Sequence, residues 1–242
     1  MSTVIPARTA RAAGAARADE HRYFLGAAVL LTFLVLWAFG FEYRDLMHPS
    51  QFTVLVRVHG LVMFAWVGLF LTQVALIVWH RPQWHRRLGV IGMGVALLVV
   101  ALGIPTSIVA CRLGGDHLPP GVPPPAFLAL ALTDLGAFAL LVGSGLALRR
   151  RPDFHKRLML LSNFPPLVAA LARLVGFLHL GIGVTPLRNL LLLAFILIDT
   201  IRTRRLHPAL VAGAACLIAA DALANALVGT AVWSGIVQAL AA

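Results

Sequence analysis

The sequence predicts an all-α, polytopic transmembrane helix bundle, and three observations predict it. Hydrophobic residues make up 60% of the chain and charged residues 12%, where soluble domains carry about 25% charged residues. The apolar residues fall in runs of about the 20 residues that cross a hydrocarbon core. Lys and Arg gather in the short connections between those runs, as their retention on the cytoplasmic side requires.

The elements follow in order. Residues 1–20 are rich in Ala and Arg, lack apolar periodicity, and read as a disordered cytoplasmic tail. Residues 21–242 read as a single transmembrane helical domain. Seven spans are expected, at Tyr23–Phe41, Phe52–Trp79, Leu88–Cys111, Pro125–Leu148, Arg157–His179, Val184–Ile201 and Pro208–Val228. The first is too long for a signal-peptide core and is read as retained. The sixth is short for a tilted crossing. The seventh is expected to continue toward Ala242 as an interfacial helix anchored by Trp233. Pro165 and Pro166 fall inside the fifth span, where the missing N–H groups predict a kink and freed carbonyls that need partners. Gly114-Gly115 and the prolines at 119, 120 and 123–125 mark a connection that starts as an extended, polyproline-like segment.

The charges orient this threading. Arg8, Arg11, Arg17 and Arg22 precede the first span, and Arg81, Arg86 and Arg87 follow the second. Arg149, Arg150, Arg151, Lys156 and Arg157 follow the fourth, and Arg202, Arg204 and Arg205 follow the sixth. The intervening connections hold only Arg44, Arg112 and Arg188. The amino terminus is therefore expected inside and the carboxyl terminus outside. This distribution explains the formal charge of +11 without nucleic acid. The partners expected are the lipid bilayer and other membrane subunits. Cys111 and Cys216 fall at different depths and are not expected to pair.

Two stretches nearly repeat, 70 residues apart: RPQWHRRL at Arg81–Leu88 and RPDFHKRL at Arg151–Leu158. Each reads as a basic turn between two spans. The second and third spans then correspond to the fourth and fifth, as an internal two-helix repeat whose interface is a natural place for a site.

Ionisable groups within spans are costly and face protein or water-filled cavities. Threading sorts them into two layers. The outer layer holds Arg57, His59, Asp134, Arg173, His179, Asp221 and Asn225. Asp134 lies roughly 13 Å from the outer end of its span at 1.5 Å per residue. Within this layer Asp134 is expected either to pair with Arg173 or Arg57 and brace the bundle, or to line an outward-facing pocket. In that pocket His59 and His179 bind a metal or haem, or exchange protons. The inner layer holds Gln73, His85, His155, Arg157, Asn163 and Asp199, with Arg86 alongside. His85 and His155 read either as interfacial residues at helix starts or as axial ligands of one haem, with the arginines on its propionates. A His59–His179 pair above them would complete a two-haem path.

RVHGLVMFAWVGLFLTQ (Arg57–Gln73), HRRLG (His85–Gly89) and RRRPDFHKRLMLLS (Arg149–Ser162), with Ala170–Arg173 downstream, carry a resemblance. The chain from Tyr23 to Pro208 resembles a family of uncharacterised bacterial multi-pass membrane proteins. The resemblance implies the bacterial inner membrane and singles out Arg57, His59, Gln73, His85, Asp134, His155, Arg157 and Arg173. A fainter likeness, carried by His155, Leu158 and Met159 after a basic turn, runs to membrane proteins of cytochrome oxidase assembly and to b-type membrane cytochromes. That likeness implies haem b or copper. The chain departs from the dihaem pattern because its inner histidines sit at helix ends.

The reading placed first is a respiratory or redox accessory protein handling haem or metal; the alternatives are a carrier of protons or a small solute, a membrane-embedded enzyme acting on lipid or quinone, and a structural subunit. No nucleophile motif or phosphate-binding glycine loop appears.

Overall fold

The computed structural model describes residues 7–40, 53–115, 118 and 121–241, all helices and their connections. The helices are α1 (Ala7–Gly40), α2 (Val54–Val78), α3 (Pro82–Leu113), α4 (Pro124–Ala147), α5 (Pro152–Leu161), α6 (Phe164–Phe177), α7 (Val184–Thr203), α8 (Pro208–Val228) and α9 (Ala231–Ala241). Seven segments are long and apolar enough to cross a membrane: Ala18–Gly40, α2, α3, α4, Pro152–Phe177, α7 and α8. These match the seven expected spans, and α7 is the shortest of them at 20 residues. The expected ends at Phe41 and Phe52 lie outside the described residues, as do Arg44, Pro119 and Pro120.

One boundary differs. Helix α1 starts at Ala7, within the stretch expected to be an unstructured tail. Half of residues 7–20 are Ala, the strongest helix former, so propensity carries the helix back from the apolar run.

Pro152–Phe177 is the central span. It has the lowest mean hydropathy of the seven, 1.6, yet 61% of it is buried in protein, against 39% or less for the others. Leu158, Leu160, Leu161, Phe164, Leu167, Ala170 and Leu171 form its packed surface. Around it, α1 packs on α2 and α6, α3 lies between α2 and α4, and α4 runs along α8. Gly213 permits the α8–α5 approach, since a Cβ there would stand 2.3 Å from Leu161 Cδ1. Helix α7 sets its backbone mainly against α6.

The expected kink is a full break between α5 and α6 at Ser162–Asn163. The side chains of Ser162 and Asn163 both donate to Met159 O, at 2.8 Å each. The turn diverts Asn163 N–H to Leu160 O at 3.2 Å, and these two side chains give Met159 O the partners that its helical N–H no longer supplies. Asn163 Oδ1 in turn accepts from buried Trp66 Nε1 at 3.1 Å, tying α2 to the break.

The two repeated turns are built alike. Arg81 (φ −112°) and Arg151 (φ −111°) are N-caps, and Pro82 and Pro152 follow. Each arginine carbonyl accepts from the histidine four residues on, at 3.2 Å for His85 and 3.0 Å for His155. Prolines are tolerated there because first-turn N–H groups have no intrahelical partner. At the other end Pro123 is extended (φ −70°, ψ 151°) and leads into α4. Helix α9 is separate from α8. Trp233 is buried and its Nε1–H donates to Pro125 O at 2.9 Å, so it fastens α9 to α4. Cys111 and Cys216 are both free thiols.

Candidate functional site

Three polar constellations sit on these helices. In α7, Arg188, Leu192, Phe195 and Asp199 are the buried residues. Their spacing of four, three and four places them on one helical face. Arg188 and Asp199 are each fully buried, with no exposed surface.

Arg188 points into the bundle, although long cationic side chains near helix ends ordinarily reach outward to water. Its Nη1 lies 3.4 Å from Asp134 Oδ1 on α4, and its Nη2 pairs with Asp221 Oδ2 on α8. Asn189 Oδ1 accepts from Arg188 Nη2 at 3.1 Å. Two carboxylates thus meet one guanidinium, and Asp221 Oδ1 is buried with no hydrogen-bond partner.

Of the outer-layer candidates, Asp134 and Asp221 are brought together, at Arg188. The cation beside Asp134 is Arg188, not Arg173 or Arg57. Arg173 stacks on Phe39 of α1 at 4.2 Å and donates to Ala169 O at 3.0 Å. Arg57 is exposed at the start of α2, and Asn225 is exposed on α8. His59 Nδ1 is buried without a partner. His179 is exposed beyond α6, with φ at 49°. Among the described residues no ring contact joins His59 to His179, and no three His, Cys, Asp or Glu side chains converge as a metal cluster. Arg188 was missed because it read as a stray charge of a connection. The signal was present: an Arg in register with Leu192, Phe195 and Asp199 along an apolar run.

At the basic end the inner layer assembles more fully. Arg157 grips Asp199 through two bonds, Nε–Oδ2 at 2.8 Å and Nη2–Oδ1 at 3.1 Å. Its Nη1 donates to Asp153 O at 3.0 Å. Lys156 pairs with Glu20 and Asp153, and Arg202 with Asp19 at 2.8 Å. Tyr23 O–H donates to Phe195 O at 2.9 Å beneath Arg202. Helix α1 is thereby bound to α5 and α7.

His85 and His155 do meet. Their ring centroids are 6.2 Å apart, at 87° to one another. His85 Nδ1 lies 3.3 Å from Gln73 O, and His155 Nδ1 lies 2.8 Å from Gly145 O. Haem fits this end poorly. Arg157, expected on a propionate, is fully engaged by Asp199, and the second histidine pair of a two-haem path is not assembled.

No family model, curated protein or solved structure matches the chain. What these residues establish is a membrane-embedded helical protein with buried charge at both ends of α7.

Proposed function

We propose that this chain is a multi-pass protein of the bacterial inner membrane that exchanges a proton at the Asp134–Arg188–Asp221 cluster, as a proton-coupled carrier does. One observation carries the reading. Asp134, which is buried, and Asp221, which is partly buried, share one fully buried guanidinium, and Asp221 Oδ1 is buried without a partner. With all three groups ionised, one negative charge stays uncompensated at membrane depth, at a cost of several kcal/mol per ion. A proton on either carboxyl removes that charge and turns it into a donor. The cluster joins α4, α7 and α8, so gaining or losing the proton alters what holds α7 to the bundle.

The positive-inside rule supports a cytoplasmic basic end, and on that orientation the cluster belongs to the outer half and takes its proton from outside. The test uses purified protein in lipid vesicles. Infrared difference spectra near neutral pH should contain a protonated-carboxyl band that disappears in D134N or D221N. Vesicles with an entrapped pH dye should collapse an imposed proton gradient faster with wild type than with either variant. No carboxyl band together with flux no faster than in empty vesicles reduces the cluster to a brace.

A further inference from the structure

We propose that His85 and His155 form a binding site for a divalent late transition-metal ion at the basic end of the bundle. The site is independent of the proton reading, since it lies at the opposite end of the spans and shares no residue with the carboxylate cluster.

Carbonyl oxygens only accept hydrogen bonds, so Nδ1 of each ring, facing Gln73 O or Gly145 O, carries the proton. That fixes the tautomer and leaves the Nε2 lone pair of each neutral imidazole available, the arrangement in which an N–H···O=C bond orients a metal-ligating histidine. Each ring is tied at Nδ1 to its own hairpin, α2–α3 for His85 and α4–α5 for His155. Each Nε2 therefore lies on the ring edge away from that carbonyl. Zn–N bonds of about 2.0–2.1 Å place two imidazoles on one ion with centroids roughly 5–6 Å apart. The observed separation of 6.2 Å is close to that spacing.

Part of the surrounding positive charge is compensated, while Arg86 still acts on His85. Arg157 is neutralised by Asp199 and Lys156 by Glu20 and Asp153. Arg87 lies over the Trp84 ring at 5.3 Å. Both histidines are half-buried, so water completes the coordination. Gln73, whose carbonyl holds His85, also has a side-chain Oε1 that is buried without a partner. Imidazole nitrogen selects Zn2+, Cu2+ or Ni2+ over Mg2+ or Ca2+.

The test is Zn2+ binding by the full-length, detergent-purified chain after removal of any polyhistidine tag. One Zn2+ per chain is expected in wild type. His85→Gln and His155→Gln keep an amide N–H for the carbonyl but lose the ligand. Each should weaken binding at least about tenfold. The double variant should be little worse than either single, because both ligands act on one ion. His179→Gln should bind as wild type. A readout without variants guards against misfolding: Zn2+ should protect His85 and His155, but not His179, from carbethoxylation measured by mass spectrometry. Zn2+ affinity in either single variant equal to wild type, or equal modification of both histidines with and without Zn2+, overturns the proposal.

Discussion

His207 shows how one side chain ties local geometry to pH. It is the N-cap of α8, and its Nδ1 accepts from Ala209 N at 3.1 Å while its ring lies 4.7 Å from that of Phe154. An accepting Nδ1 must be unprotonated. Burial, and then the nearby Arg157 cation, hold the imidazole pKa below its ordinary value. A histidine with a depressed folded pKa is neutral in both states at high pH, and its cap is then fully present. As pH falls through about 6.5 the unfolded chain takes up the proton first, so stability is lost toward the lower folded value. H207N keeps a side-chain oxygen cap without a titrating group. The gap between the melting temperatures of H207N and wild type should move in favour of H207N as pH drops from about 7.5 to 5.5. A gap that does not change with pH would show that His207 does not cap in its neutral form.

Helix α7 is held differently from its neighbours. Its backbone lies mainly against α6, and it reaches the other helices through side chains: Arg188 to α4 and α8, Asp199 to α5, and Arg202 to α1. The two charges are eleven residues apart, about 16 Å along the axis, with Leu192 and Phe195 between them. Breaking a buried pair by removing one partner costs about 3–5 kcal/mol, because the survivor is stranded, whereas replacing both by apolar groups is often nearly neutral. D199N should therefore lower the denaturation midpoint in mixed micelles strongly, and R157M/D199M should recover most of the loss. A double variant as unstable as the single would mean that the pair itself, not the stranded cation, sets the cost. This element also marks where sequence reading ran out. Depth along the membrane normal is legible from position in a run, so Arg157 and Asp199 were placed in one layer, and they pair. Azimuth around each helix, and which helices are neighbours, is not contained in depth. A common expected depth with Asp134 therefore did not require Arg57, His59, Arg173, His179 and Asn225 to meet it. His85 and His155 were related by the shared RPxxH string and not by depth, and their rings lie together.

At the scale of the molecule, the spans were legible because burial in lipid and burial in protein both select apolar residues. The central span was not, since what distinguishes Pro152–Phe177 is that its neighbours cover it. Orientation rests on charge alone, and it governs the proton reading because it decides which side reaches Asp134. Among the spans and their described connections, cations cluster at the end holding Arg81, Arg151 and Arg202, while Gly121 lies in the connection at the opposite end, between α3 and α4. A protein lacking Cys111 and Cys216 and carrying one new thiol reports this directly. In intact cells a membrane-impermeant maleimide should label Gly121→Cys and leave Arg150→Cys unmodified until the membrane is permeabilised. The reverse pattern would invert the threading and turn the carboxylate cluster toward the cytoplasm. The histidine pair would then face outside, still able to bind metal, but with the proton reading deprived of its outward access.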